Sequence, residues 1–332
     1  MVSLKFGIEF VPQDVYWKTV AYGILAEKRG FEYIWVTDHF NNRNVYLTLG
    51  LMANYTKKIN LGTGVTNPYL NNPAAIASAI LTLDEVSGGR AVLGIGAGDK
   101  VTFEYLGVEW KKPLAAIRET VEVFRRLIKG ESVTYGGRFV KLKNARLNFK
   151  TKRDIPVYIG AQGPKMLELA GEIGDGVLIN ASHPRDFERA MAQIQKGLEK
   201  SGRSKEQIDI AAYTSFSVHK DSAKAKEAAK PVVAFIVAGA PKAILEFHEV
   251  PVEKASEIGK QLSKGNFKEA FSVVTDEMLS AFSVCGSPDE CIDKIRELQK
   301  AGISQLVVGS PIGPNVKAAI ELISKEIMPS FK

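Results

Sequence analysis

The sequence predicts one domain with the (β/α)8 fold, the TIM barrel, for the whole chain of 332 residues. Eight short apolar runs rich in β-branched residues alternate with longer runs of helical periodicity, which is the pattern of parallel strands joined by helices. A doubly wound sheet shows a similar alternation, but it usually carries a G-x-G-x-x-G fingerprint after its first strand. No such fingerprint follows the first strand here, and the barrel is therefore favoured.

The predicted strands are apolar runs that end in polar or glycine-rich loops. They cover residues 4–10, 33–36, 59–65, 91–95, 155–159, 175–179, 210–218 and 305–308.

Capping residues, prolines and glycines set the predicted helix boundaries. Asp14 is placed to cap the first helix, which stops at Gly30, and Pro73 suits the first position of the third helix. The main predicted helices cover residues 15–28, 45–55, 73–87, about 113–130, a stretch ending at 173, and residues 184–201, 223–238, 287–300 and 315–327.

Two segments interrupt the alternation. Residues 131–150, after the fourth strand, contain Thr-Tyr-Gly-Gly-Arg, which is typical of a hairpin. Residues 239–283, after the seventh strand, show no clear strand and contain glycines and prolines, which indicates a largely helical insertion.

Composition narrows the class of protein. The net charge is +7, but lysine and arginine are dispersed among acidic residues, which favours an anionic small molecule over nucleic acid as the partner. No apolar run reaches the length of a membrane span, and the amino terminus lacks the zones of a signal peptide, so we expect a cytoplasmic protein. Cys285 and Cys291 do not have the spacing of metal ligands, and no metal site is expected.

The third strand carries glycines at unusual positions. Gly62 and Gly64 weaken a strand interior and mark either a bulge or a backbone that another group approaches closely. Two interpretations stay open: a flat ligand lies against this strand, or the glycines serve packing alone.

Eight residues, all but one of them polar, lie at or just beyond the ends of the predicted strands. In a barrel the carboxyl ends of the strands meet at one mouth, so we expect these residues to converge there. They are Glu9, Asp38, His39, Gly64, Asp99, Gln162, Asn180 and Ser310.

A glycine-rich turn precedes the predicted helix that ends at residue 173. Gly160, Ala161, Gln162, Gly163 and Pro164, with Lys165 beside them, can offer backbone N–H groups and a cation to a phosphate. The alternative is a tight turn between strand and helix without a ligand.

Several segments, taken together and in order, resemble one family. They are FGIEFVP at residues 6–12, TDHF at 37–40, LGTGVTNPY at 61–69, LGIGAGDK at 93–100, GAQGPKM at 160–166, INAS at 179–182 and VVGSPIGP at 307–314. Over essentially the whole chain they are similar to coenzyme F420-dependent methylenetetrahydromethanopterin reductases of the bacterial-luciferase-like superfamily. The resemblance implies an oxidoreductase of methanogenesis and one-carbon metabolism, in which reduced F420 passes a hydride to the pterin substrate.

The resemblance also implies site residues. It places a bulge with a non-prolyl cis peptide at Gly64–Val65, against the deazaflavin ring of F420. It also places a turn that binds the cofactor phosphate at residues 161–164. The implied F420-binding residues are Asp38, His39, Gly64, Val65, Thr66, Ala97, Gly98, Ala161, Gln162, Gly163, Pro164 and Asn180.

Two carboxylates are the implied catalytic residues. Glu9 is the first choice for the acid that assists the pterin nitrogen, and Asp99 occupies a position where sugar-phosphate dehydrogenase relatives hold a glutamate. Arg43 stands in the region where alcohol and sugar dehydrogenases carry a tryptophan, which argues against those substrates. The alternatives are an FMN-dependent monooxygenase or another F420-dependent enzyme on the same barrel, and then a binding protein without catalysis. Relatives suggest a homodimer or homotetramer.

Overall fold

The computed structural model describes residues 3–332, and most of the strands there are short and buried. They are β1 Lys5–Phe10, β2 Tyr33–Val36, β3 Asn60–Thr63, β4 Ala91–Gly96, β5 Val133–Gly136, β6 Lys141–Ala145, β7 Val157–Gly160, β8 Gly176–Ile179, β9 Asp209–Val218, β10 Val284–Gly286 and β11 Gln305–Ile312.

Helices connect these strands and form the second insertion. They are α1 Tyr16–Lys28, α2 Val45–Tyr55, α3 Pro73–Ser87, α4 Lys100–Tyr105, α5 Pro113–Ile128, α6 Pro164–Ile173, α7 Pro184–Ser201, α8 Ser222–Gly239, α9 Lys242–Phe247, α10 Val252–Ser263, α11 Phe267–Ser272, α12 Asp276–Phe282, α13 Pro288–Lys300 and α14 Val316–Leu322.

The chain groups into two compact units. The first unit contains Gly7–Ile179 and Ala190–Ala211, and the second contains Asn180–Arg189, Ala212–Lys332 and the start of the chain up to Phe6. The single-domain organisation therefore stays a prediction.

The first unit holds the antiparallel β5–β6 hairpin and a set of parallel strands. The parallel strands lie in the order β1-β2-β3-β4-β7-β8. The register sets Glu9 opposite Trp35, and Trp35 opposite Gly62. Because register partners on neighbouring strands project to the same face, Glu9 and Trp35 share one face of the sheet. Trp35 and Tyr158 of β7 contact each other on that face with ring centroids 5.0 Å apart, so this face is the packed interior.

In the second unit the strand order is β10-β9-β11. The predicted helical insertion is present as α9–α12, and its buried apolar side chains pack on one another and on α8. Ser287 and Glu290 form the capping box that starts α13, as their spacing predicts.

The eight predicted strands all belong to one sheet, because β1 and β9 each run through both units. Their order is β9-β11-β1-β2-β3-β4-β7-β8, and β9 also pairs with β8. The predicted (β/α)8 barrel is confirmed.

Some local predictions are wrong. Val15, not Asp14, is the N-cap of α1, and the Asp14 carboxylate instead pairs with Lys18 at 2.8 Å. The short strand β10 was not predicted, because three residues give no measurable alternation. The last predicted helix is interrupted: α14 continues as a π-helical turn over Ile323–Ile327 and a 3-10 turn over Met328–Phe331.

Candidate functional site

The end of β3 has the predicted irregular backbone. The Gly64–Val65 peptide is cis, which confirms the prediction. Gly62 pairs with Val92, and Thr66 pairs with Ile95. Thr66 lies four residues after Gly62, whereas Ile95 lies only three residues after Val92. One extra residue on β3 is a β-bulge. Gly64 and Val65 are half-buried there.

Glycines on β4 and β7 make room for this bulge. A Cβ added at Gly94 would lie 1.9 Å from the carbonyl oxygen of Thr63, and one at Gly96 would lie 2.7 Å from Cγ2 of Val65. A Cβ at Gly160 would lie 3.2 Å from Cγ1 of Val65. The Val65 side chain thus packs against two strands that have no side chains at those positions.

At Gly62 the approaching group is part of the protein. A Cβ there would lie 2.5 Å from the Trp35 ring. Of the two interpretations left open for these glycines, packing therefore accounts for Gly62.

A hydrogen-bonded chain of three side chains lies beside the bulge. The Thr66 hydroxyl donates to Asp38 Oδ2 at 2.7 Å. Tyr46 OH lies 3.0 Å from Thr66 Oγ1, and since the threonine proton is used toward Asp38, the tyrosine donates. Burial raises the pKa of the Asp38 carboxyl, although the Thr66 hydrogen bond and nearby His39 oppose this shift. The site thus holds a carboxylate whose charge is incompletely solvated.

His39 follows Asp38 and lies at the surface of the same loop. Its Nδ1 is 3.5 Å from Nδ2 of Asn42. Loss of hydration lowers the pKa of the His39 ring, and the Asp38 carboxylate partly restores it. An imidazole beside a carboxylate can exchange hydrogen bonds with a polar ligand.

Glu9 is buried near the end of β1, with 9% of its surface exposed. It shares the interior face of the sheet with Trp35. A carboxyl group in such a place can exchange a proton with a ligand without competition from bulk water.

Asp99 has different surroundings. Its carboxylate caps α4 by accepting from the Thr102 amide at 2.9 Å, the Thr102 hydroxyl at 2.8 Å and the Val101 amide at 3.4 Å. Partial burial alone would raise the pKa of Asp99, but these hydrogen bonds outweigh it and lower the pKa. The side chain is exposed and committed to the helix start.

The residues before Asp99 are held by aromatic side chains. The Ala97 carbonyl oxygen accepts from Trp110 Nε1 at 2.9 Å. Gly98 has φ of +67°, and a Cβ there would lie 2.4 Å from the Phe103 ring. Glycine is needed at this position for both reasons.

The predicted phosphate-binding turn joins β7 to α6. Ala161 is buried, whereas Gln162, Gly163 and Pro164 are exposed. Gly163 is the N-cap of α6, and no side chain caps this helix. The amino-terminal end of α6 is therefore accessible to an anion.

The remaining predicted residues lie in the second unit. Asn180 directly follows β8 and is exposed, and Ser310 lies within β11, half-buried. The Ser310–Pro311 peptide is cis, which the sequence analysis missed, although cis bonds concentrate at X-Pro pairs. Tyr46 was missed as well, because nothing in its sequence context distinguishes it from a core residue of α2.

The described residues form neither a metal site nor a membrane-spanning helix. Within residues 3–332, no group of three His, Cys, Asp or Glu side chains is arranged to hold a metal ion. No helix in that range is long and apolar enough to cross a bilayer.

Comparison with known proteins gives concordant matches. Residues 9–305 match the family described as luciferase-like monooxygenase. The chain is 54% identical to 5,10-methylenetetrahydromethanopterin reductase from Archaeoglobus fulgidus, over 99% of this chain and 100% of the relative.

Solved structures agree with the sequence matches. The structure of coenzyme F420-dependent tetrahydromethanopterin reductase from Methanopyrus kandleri superposes with a TM-score of 0.96 at 47% identity, covering 99% of this chain and 100% of the other. An F420-dependent secondary alcohol dehydrogenase in complex with an F420–acetone adduct superposes with a TM-score of 0.83 at 25% identity, covering 99% of each chain.

Proposed function

We propose that this chain, which belongs to the luciferase-like monooxygenase family and within it to the 5,10-methylenetetrahydromethanopterin reductases, transfers a hydride from reduced coenzyme F420 to methylenetetrahydromethanopterin. The product is methyltetrahydromethanopterin, an intermediate of methanogenesis from CO2. The full-length match to the reductases carries this proposal.

The residues around the β3 bulge fit a flat, polar cofactor such as F420. Gly64 and Val65 offer a half-buried backbone without a side chain at Gly64, and Asp38, His39 and Thr66 lie beside it. Bound F420 supplies the hydride from its C5 atom. Asp38 and His39 would hold the ring by hydrogen bonds, and Ala97 and Gly98 would line it from the loop after β4.

The turn after β7 is proposed to hold the cofactor phosphate. The phosphate would bind at the accessible amino-terminal end of α6, next to Ala161, Gln162, Gly163 and Pro164. Asn180 is the further proposed cofactor contact.

Glu9 is proposed as the acid of the reaction. When the methylene carbon takes up a hydride, the pterin nitrogen that releases this carbon needs a proton. A buried carboxyl on the interior face of β1 can hold that proton at the nitrogen and keep water away. Asp99 is the second proposed catalytic residue, although its hydrogen bonds to α4 support a positioning role.

The chain is further proposed to act as a cytoplasmic homodimer or homotetramer. On α2, Leu47, Leu51 and Tyr55 recur at every fourth residue, and 72%, 38% and 65% of their surfaces are exposed. Such a stripe is typical of a subunit interface. Light scattering coupled to size-exclusion chromatography tests this assembly, and a monomer at micromolar concentration would contradict it.

The cofactor assignment is tested by binding. Purified protein is titrated in parallel with F420 and with FMN, and the oxidation of reduced F420 is then followed by absorbance with and without methylenetetrahydromethanopterin. We expect F420 to bind and to be oxidised only when the pterin is present. Preferential binding of FMN would instead indicate a flavin-dependent enzyme of the same family.

A further inference from the structure

A groove between α5 and α6 lies next to the turn proposed to hold the cofactor phosphate. We name it the α5–α6 groove; its volume is about 480 Å³, within the range of roughly 300–1,000 Å³ that is usual for small-molecule clefts. Lys165, which directly follows that turn, lines one part of it, and Arg138 at the tip of the β5–β6 hairpin lines another.

Every carboxylate that lines the groove has partners in the protein. Glu172 forms a bidentate salt bridge with Arg118, in which both N–O distances are 2.6 Å. Glu168 pairs with Lys200. These two carboxylates are therefore neutralised by Arg118 and Lys200, and the remaining charged residues of the groove are Glu119, Arg138 and Lys165.

Glu119, the third carboxylate, clamps the hairpin. It accepts hydrogen bonds from the backbone amides of Arg138, Phe139 and Val140, each at 2.8 Å. A Cβ at Gly137 would lie 2.3 Å from Glu119 Oε2, so glycine allows this close approach. These amide hydrogen bonds outweigh partial burial and lower the pKa of Glu119, which therefore stays ionised and holds the hairpin tip on α5.

Arg138 is fixed by its backbone while its side chain is available. Its amide donates to Glu119, and its carbonyl oxygen accepts from Lys112 Nζ at 3.2 Å. Across residues 3–332, the guanidinium of Arg138 and the ammonium of Lys165 form neither an ion pair nor a hydrogen bond. The charge of Arg138 acts on the nearby Glu119 carboxylate and helps to lower its pKa. Two cations without an ion pair in one groove still favour an anionic ligand.

We propose that the α5–α6 groove binds the γ-linked glutamate tail of coenzyme F420, with Arg138 and Lys165 contacting its carboxylates. This rests on the proposed function, because the tail begins at the phosphate and the groove begins at Lys165, one residue beyond the phosphate turn. Each γ-linked glutamate keeps its α-carboxylate and the last one also keeps its γ-carboxylate, so the tail suits two cations better than a single anion does.

The test compares two forms of the cofactor. The dissociation constants of F420 with no glutamate and of F420 with two glutamates are measured by fluorescence at about 50 mM salt. We expect the wild type to bind the longer form about threefold to tenfold more tightly, as two exposed ion pairs allow. We expect Arg138→Gln to reduce this ratio and Arg138→Gln with Lys165→Gln to bring it close to one. Higher salt has the same effect.

Matched variants locate the effect. Arg138→Lys keeps the charge and is expected to keep most of the ratio, and Lys143→Gln, on the exposed part of β6, is expected to leave it unchanged. Equal binding of both forms by the wild type overturns the tail site and leaves the reductase function intact. If the double variant keeps the affinity ratio of the wild type, the tail binds somewhere other than the α5–α6 groove. If neither form binds, the proposed function and the tail site fail together.

Discussion

Asp38 and Asp99 lie in loops after β2 and β4, and each accepts a hydrogen bond from a threonine hydroxyl, yet their carboxyl pKa values move in opposite directions. Asp38 is half-buried beside the β3 bulge and accepts a hydrogen bond from the Thr66 hydroxyl. Asp99 is exposed and accepts from two backbone amides as well.

The difference shows that position after a strand does not decide what a carboxylate does. Burial destabilises the charged form, whereas amide hydrogen bonds at a helix start stabilise it. A carboxyl that exchanges protons near neutral pH needs the first environment. Glu9 is buried whereas Asp99 is exposed, so we expect the acid chemistry at Glu9.

The largest effect on stability should come from a substitution at Gly94, which packs beneath the β3 bulge and positions Thr66. Thr66 N donates to the Gly94 carbonyl oxygen at 2.9 Å, so Gly94 holds the partner of Asp38 in place. In Gly94→Ala the new Cβ would meet the Thr63 carbonyl oxygen at 1.9 Å. We expect the free energy of unfolding to fall by at least about 3 kcal/mol.

Urea denaturation measures this loss, and Gly50→Ala is the control. Gly50 lies within α2 and has no atom within 4 Å of an added Cβ. There alanine should leave stability unchanged or raise it by up to about 1 kcal/mol. Equal losses in the two variants would show that the contact at Gly94 relaxes freely.

Glu9→Gln tests the chemistry of the buried side. The amide keeps the shape but carries no transferable proton, so kcat should fall at least about tenfold. F420 affinity should remain nearly intact, because the interaction acts mainly in the transition state. Steady-state kinetics and F420 titration measure both quantities.

Glu85→Gln, an exposed substitution on α3, controls for the loss of one charge. If Glu9→Gln turned over at the wild-type rate across pH, Glu9 would be structural. Asp99 would then become the better candidate for the acid.

On the exposed side, Asp99→Ala removes the cap of α4. We expect a local loss of about 1 kcal/mol, and a smaller one for Asp99→Asn because asparagine also caps helices. Hydrogen exchange of the Val101 and Thr102 amides reports this loss directly. Unchanged exchange in the alanine variant would mean that the cap is dispensable.

Asp99→Asn should also weaken F420 binding, since Ala97 and Gly98 immediately precede it. Because the folded pKa of Asp99 is lowered, the stability contributed by its charge is present above the ordinary value of 3.8 and is lost as pH falls through the folded value.

The smallest expected effect is a change in how stability depends on pH. Because the folded pKa of Asp38 is raised, its contribution to stability is present below 3.8 and is lost as pH rises through the folded value. Asp38→Asn does not titrate and can still accept from Thr66, so at pH 7 it should match or exceed wild-type stability by less than about 1 kcal/mol. Urea denaturation between pH 4 and pH 7 measures the trend, and a wild type that gains on the variant with rising pH would contradict it.

Local patterns made the elements predictable. The alternation of strands and helices gave bounds for β2, α2 and α3 that agree with the structure, and the cis peptide at Gly64–Val65 followed from a resemblance to a family. The prediction that Asp14 caps α1 failed, because an aspartate can either cap a helix or pair with a lysine one turn later. The residue type alone does not distinguish these outcomes.

By itself the sequence determined the order of the eight strands and helices, because hydrophobic periodicity and capping residues act over a few neighbours. It also identified the loops that carry polar residues after those strands. Only the tertiary structure decided that the Trp35 ring fills the space at Gly62, that Val65 packs against Gly96, and that Glu119 holds Arg138 beside a groove. The physical reason is that strand register and burial join residues far apart in the chain, and these distant contacts set which carboxylate is buried and which one caps a helix.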